Sequence, residues 1–491
     1  MKLPYLVISF LVLTAVGLTG LDLRAGLTFA LVCLYFAALA VHLESGIYII
    51  LAAVVIFIDG WAPERTYEDV VFHLGLGRVY IMEIAVYGLL LIYAIKRILG
   101  WNPVSQKAFF CSTPLDRPII VFAALLPVFA FYGLLRGNTL QDAIGYIEWR
   151  CLFLAIVFYF LLVTLADTHA KAMRYFWWFM VLVASKASYS LLIFLLGTRG
   201  PFPDVFGSGP VDEGPENYMF VFAALAAVSL LLFARELSKG KRTLVWLIVI
   251  VTVINVLVSE KRTPQLGLMV GLIVLASRLK FKQVLKVGFA TAFAVLAYLA
   301  GTSVLGMNKE SQAIGASSSR YEEVVQFIRD PQPQQLLNLN GTLAFHLLDF
   351  VDGWNTVKQR PILGYGFGGQ LEREFTLLPN VGGEFVTLGM VHDQYLTLWL
   401  KMGLVGLCAY IWLLFSLFRF GARSVPRISS TLERAIVLGF YSALWGDLAM
   451  ELWGPIWIGN TKFPLIIFFS VGLMIRLSSP CQRKVDITVE G

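Results

Sequence analysis

The sequence predicts an all-α polytopic membrane protein of about 12–14 transmembrane helices with one long polar loop, and three observations carry that prediction. Of 491 residues, 58% are hydrophobic and only 14% charged, where a soluble domain carries about a quarter charged residues; the mean hydropathy is +0.74. The apolar residues come in continuous runs rather than in the alternation of a membrane β-barrel, so the spans are helical. Basic residues concentrate in every second connection, as in RELSKGKR (235–242) and RLKFKQVLK (278–286), a pattern that sets orientation.

Taken in order, apolar runs bounded by charge or by Gly and Pro lie near residues 4–21, 27–43, 46–59, 79–96, 118–135, 150–166 and 175–197. They continue near 218–234, 243–258, 264–278, 285–304, 394–418, 434–452 and 461–476. The first run reads as an uncleaved span rather than a signal peptide, because its apolar core is long and further spans follow. The alternation of basic connections predicts an even number of spans with both termini cytoplasmic, which turns the long polar loop outward. The expected division is residues 1–304 with eleven spans, 305–392 as a helical subdomain outside the membrane, 393–477 with three spans, and 478–491 as a cytoplasmic tail. The net charge of +7 belongs to the short connections, so nucleic acid is not an expected partner, whereas the lipid bilayer is. Five scattered cysteines offer neither a disulfide framework nor a CxxC metal site.

Among the ionisable residues inside spans, Glu83, Lys186, Asp447 and Glu451 stand out. Such charges are costly in a bilayer and face a partner or a wet cavity. Asp447 and Glu451, four apart, share one helix face, and Lys186 is a candidate partner for a carboxylate. The loop TRGPFPDVFGSGPVDEGPEN (198–217) carries Asp204, Asp212, Glu213 and Glu216, either as hard-cation ligands or as an ordinary solvated run. No Asp-x-Asp pair occurs, and neither an internal repeat nor a broken helix is evident.

The chemistry-bearing residues cluster around the long loop. SEKRTP (259–264) puts Lys261 and Arg262 together in a very short outer turn, against the orientation rule. One reading is a snorkelling pair at a helix end. The other takes Thr263 as N-cap and Pro264 as first helical residue, which would aim backbone NH groups outward beside Arg262 as an anion site. Within the loop, RYEEVVQFI (320–328) and LLDFVDGWNTVKQRP (347–361) read as amphipathic helices, the second stopped by Pro361. GYGFGG (364–369) follows a helix and a Pro turn rather than a strand, so a dinucleotide site is excluded. A tight turn bringing backbone close to a ligand or another helix fits better. His392 opens the next span, as a packing histidine or as a base able to accept a proton at neutral pH.

Three blocks resemble the O-antigen ligase and polymerase superfamily: SEKRTPQLGLMVGLIVLAS (259–277), WNTVKQRPILGYGFGGQ (354–370) and VHDQYLTLWLKMGLVGLCAY (391–410). The last has His-Asp where that family more often has His-Asn, and YIEWRCLFLAIVFYFLL (146–162) is a fainter echo. The resemblance implies a GT-C-like membrane glycosyltransferase in the bacterial cytoplasmic (inner) membrane. Its expected partners are an undecaprenyl-diphosphate-linked glycan donor and a glycan or glycolipid acceptor, with no cofactor. By motif position Arg262, Arg320 and the neighbouring Lys261 would hold the donor diphosphate, with Arg329 competing for the role of Arg320. His392 would activate the acceptor hydroxyl, while Gly364, Gly366 and Asp393 would shape the loop or the acceptor site. Arginine forks can neutralise a leaving diphosphate in place of a metal, and the expected displacement inverts the sugar. A transporter lined by the intramembrane charges is the alternative from another class, and a metal-dependent transferase resting on Asp22 or the 204–216 acids is a third.

Overall fold

The computed structural model describes residues 23–57, 70–73, 78–101, 113–145, 148–196, 214–259, 262–279, 341–369, 371–374, 385–388, 391–454, 457–458 and 462–479. The expected spans near 4–21 and 285–304, the helix expected at 320–328, and Asp22, Lys261, Asp204, Asp212, Glu213, Arg320 and Arg329 lie outside the described residues.

The other twelve expected spans are helices: α1 Leu23–Val41, α2 Glu44–Ala52 running into a π-turn at Ala53–Phe57, α3 Ile81–Ile98, α4 Asp116–Leu135, α5 Glu148–Leu165 and α6 His169–Leu196. They continue as α7 Gly214–Phe233, α8 Lys239–Val258, α9 Arg262–Ala276, α11 Gln394–Ser424, α12 Thr431–Glu451 and α13 Lys462–Ser478, with α10 Gly341–Gln359 in the long loop. Six helices among the described residues are long and apolar enough to cross a membrane by length and composition. The protein is therefore an all-α polytopic membrane protein. Two short antiparallel hairpins decorate the connections, β1 Val70–His73 with β2 Arg78–Tyr80 and β3 Leu371–Glu374 with β4 Phe385–Leu388. The second pairs Leu371 with Leu388 and Glu374 with Phe385, so the long loop is not purely helical as expected. The β-branched and aromatic run FVTL suits a strand, but it is too short to announce one beside the helical pattern.

Helix α13 is apolar and buried around its circumference from Phe463 to Met474, which marks it as a central helix. It packs on α5, α12 and α6, while α12 also lies along α7 and α9, and α7 along α8. At the N-terminus of α6 and the C-terminus of α13, His169 Nδ1 meets Glu433 Oε1 at 2.8 Å and Nε2 meets the Ser479 carbonyl at 3.0 Å.

The most informative feature is a break in α11. Gly403 has φ +60 and ψ −168, inside what is otherwise one helix. The break orphans main-chain groups, and the turn at 361–366 satisfies them. Tyr365 N and Gly366 N donate to the Leu400 and Lys401 carbonyls at 2.8 and 2.9 Å, and Leu404 N donates to the Pro361 carbonyl at 2.9 Å. On the other flank Phe367 N reaches the Phe129 carbonyl of α4 at 3.2 Å, and Asn138 Nδ2 holds the Tyr365 and Phe367 carbonyls at 3.1 and 2.9 Å. The glycine-rich turn is a wedge between α4 and α11. A broken helix was not expected from the sequence, because the apolar run LKMGLVGLCAY continues straight through it.

Candidate functional site

The charges expected inside spans find partners in the bundle. Arg150 of α5 makes a two-pronged pair with Glu83 of α3, Nε to Oε1 at 2.8 Å and Nη2 to Oε2. Lys186 of α6 pairs with Glu216 at 2.6 Å, and the same carboxylate takes Lys462 of α13 at 3.1 Å. Glu216 is thus no loop acid: it sits in the first turn of α7, 2% exposed, and joins three helices. Its place beside a run of Gly, Pro and acid made it look like part of a solvated loop.

Asp447 and Glu451 occupy the last turns of α12 and are buried. Glu451 Oε1 accepts from the Tyr410 hydroxyl at 2.7 Å. Asp447 Oδ2 accepts from Trp457 Nε1 at 3.0 Å, and Trp457 N donates to Gln394 Oε1 at 3.1 Å. Asp447 Oδ1 and Glu451 Oε2 have no hydrogen-bond partner among the described residues. The intramembrane carboxyls were visible in sequence; their partners Tyr410 and Trp457 carried no signal, being aromatic residues in apolar runs.

This last turn of α12 is where the two signature helices meet. Glycines bring α9 close: a methyl on Gly446 would overlap the Gly267 carbonyl, and one on Gly267 would strike Met450. Small residues allow such approach between membrane helices. Helix α11 reaches the same turn through Gln394 at its start, which accepts from Trp457 N, and through Tyr410, which donates to Glu451. Arg262 and His392 therefore head two helices seated on the same turn.

Arg262 is the first residue of α9 and is exposed. The expected cap arrangement is shifted: Thr263 lies inside the helix rather than capping it. The connection from α8 is so short that Gln265 reaches back, Nε2 donating to the Ser259 carbonyl at 3.1 Å and the Leu257 carbonyl at 3.3 Å. This satisfies carbonyls that the end of α8 would orphan. It also fixes the start of α9, whose free NH groups and dipole favour an anion beside Arg262.

His392 is half-buried between two anchored neighbours. Thr397 Oγ1 donates to the Val391 carbonyl at 2.8 Å and accepts from Val391 N at 3.2 Å. Asp393 is the N-cap of α11, accepting from Leu396 N at 2.6 Å with φ −150 and ψ 127. Burial pushes the Asp393 carboxyl up, against the downward pull of the Leu396 and Tyr395 NH groups. Gly364 and Gly366 sit at the wedge with φ +64 and +78, against α11 and α4. Lys401, fully buried, donates to the Gly369 carbonyl at 2.6 Å and ties the wedge to the helix His392 heads.

Residues 247–411 match the family model Wzy_C, described as O-antigen ligase. The matched stretch begins in α8 and ends in α11, taking in Arg262, the wedge and His392. A comparison with curated proteins returned no match.

Proposed function

We propose, from the premise that this chain is a member of the O-antigen ligase and polymerase superfamily through residues 247–411, that it transfers glycan from a polyprenyl-diphosphate-linked donor to a sugar hydroxyl. The reaction takes place on the outer side of the cytoplasmic membrane, and undecaprenyl is the expected lipid. The carrying observation is that α9 and α11, headed by Arg262 and His392, both rest on the last turn of α12, through Met450 and through the Tyr410–Glu451 bond.

In this mechanism Arg262 and the α9 N-terminus hold the donor diphosphate, with Arg320 and Lys261 as further cationic contacts. The acceptor hydroxyl attacks C1 of the donor sugar. His392 takes its proton, the new C1–O bond forms, and the C1–O bond to diphosphate breaks with inversion. The leaving charge stays on the diphosphate, where guanidinium forks and helix NH groups stabilise it without a metal. The chemistry needs one base and one anion site because the donor is already activated, so positioning supplies much of the acceleration. Asp393 and Thr397 serve by fixing the backbone on both sides of His392.

The broken α11 raises the transporter alternative again, since transporters bind substrate at broken helices. Here the groups freed by the break are bonded to residues 361–366 rather than left lining a path. Glycan transfer is the better account. Arg262→Ala tests it in cells: lipid-linked glycan should accumulate and surface polysaccharide disappear while the protein level holds. Normal polysaccharide in that variant would remove Arg262 from the site. The lipid-linked species that accumulates on deletion separates the two branches, single repeats indicating a polymerase and full-length polymer a ligase.

A further inference from the structure

Helix α10 has three sides, and only two are explained by the bundle and by water. At roughly 100° per residue, Gly353 and Val357 form one strip, facing Leu396 and Val391 at the start of α11. Asn355 and Gln359, both exposed, form a polar strip. Between the two runs a third strip made of Phe350, Trp354 and Val351, which also carries Lys358 one turn beyond Trp354. It is apolar yet open, Phe350 49% and Val351 51% exposed. A contiguous apolar surface in the open marks an interaction site.

That strip does not stand alone. The turn after α10 continues it with Ile362 and Leu363, 64% and 46% exposed. The main-chain bonds from Leu404 N to Pro361 and Val405 N to Ile362 set this turn directly against Leu404 and Val405, which are also exposed. Those two open the outward stripe of α11 that runs on through Ile411, Trp412 and Phe415, within a helix long and apolar enough to span the bilayer. The apolar strip of α10 is thus continuous with a lipid-facing surface.

The flanks match a membrane interface. Lys358 Nζ lies 5.5 Å from the Trp354 ring and Arg360 Cζ lies 4.9 Å from the Tyr365 ring, cations folded back over aromatics. Trp399 packs edge-on against Trp354 at 5.5 Å and gives its NH to the Pro361 carbonyl at 2.8 Å. Aromatic rings with a bonded polar tip and long basic side chains are what the headgroup level selects.

We propose that α10 is an interfacial helix, its Phe350–Val351–Trp354 strip and the Ile362–Leu363 turn immersed in the acyl chains of the outer leaflet, with Lys358 and Arg360 at the lipid phosphates. A helix with protein on one side, lipid on the next and water on the third lies along the membrane surface at the edge of a bundle. Its occupant is bilayer lipid. The wedge at 361–366 then enters α11 at the level of the interface, where a lipid-borne diphosphate also sits.

The test uses the full chain in phosphatidylethanolamine–phosphatidylglycerol vesicles, with ordinary acyl chains or with chains brominated near the headgroup end. The emission lost between the native chain and Trp354→Phe isolates Trp354 from the other tryptophans. Asn355→Trp in the Trp354→Phe background reports the neighbouring polar strip. The Trp354 component should be strongly quenched by brominated chains and spared by aqueous acrylamide, with the reverse for Asn355→Trp. Acrylamide quenching of Trp354 equal to that at Asn355→Trp would overturn the proposal. So would protection from both reagents, which would mean that protein covers the strip. Because this experiment reads lipid contact and not turnover, it stands or falls independently of glycan transfer.

Discussion

Gly366→Ala is the most quantitative consequence of the wedge. Gly366 has φ +78, and an added Cβ would overlap the Gly133 backbone of α4 and lie 3.1 Å from the Phe129 carbonyl. Backbone cannot swing aside as a side chain can, so the turn must lift. Lifting breaks the bonds from Tyr365 N to Leu400 and from Gly366 N to Lys401. Each buried carbonyl left without a donor costs about 1–3 kcal/mol, and the left-handed conformation adds about 1–2 kcal/mol for alanine. The sum is about 3–8 kcal/mol, by simple addition of those ranges. Gly137 provides the matched control: its φ is +91, and nothing lies within 4 Å of the place a methyl group would take there. Gly137→Ala should therefore cost only the conformational part, about 1–2 kcal/mol. Thermal unfolding of both variants in the same detergent measures the gap. Equal stability of the two would refute the wedge as a packed element completing α11.

Two further substitutions probe neighbouring parts of the fold. Glu216→Ala removes the carboxylate shared by Lys186 and Lys462 and should cost about 3–5 kcal/mol, as breaking a buried ion pair does, seen as a large fall in melting temperature; a change under about 1 kcal/mol would fit only a surface pair. Asp393→Ala deletes the N-cap of α11 and should cost about 1 kcal/mol, with Asp393→Asn recovering much of it; equal loss in both would assign Asp393 a role its charge fulfils.

The helices were legible in the sequence because each needs only local information, an apolar run and its punctuation. Twelve of the expected spans emerged within a few residues of their limits. Arg262 and His392 drew attention in the sequence because each breaks a local rule, a cation pair in a very short turn and a histidine at a span entrance; the structure puts them at the starts of α9 and α11. What was not legible is pairing across distance. Nothing near Lys186 points to Glu216, thirty residues on, and nothing in LKMGLVG says that the chain breaks at Gly403. That break becomes possible only because Pro361, Tyr365 and Gly366 supply its missing partners from another part of the sequence. GYGFGG announced a close backbone approach, but not that α4 and α11 were the surfaces approached.

The central claim is a division of labour between the residues heading α9 and α11. Its most direct measurement is made on the purified chain in vesicles, comparing donor binding and single-turnover transfer for Arg262→Ala and His392→Ala with a polyprenyl-diphosphate-linked glycan. The account predicts that Arg262→Ala loses donor binding, whereas His392→Ala binds donor nearly as the native chain does and transfers it about 100- to 10,000-fold more slowly, the usual worth of a positioned base. Donor binding lost equally in both variants, or transfer at the native rate in His392→Ala, would contradict it.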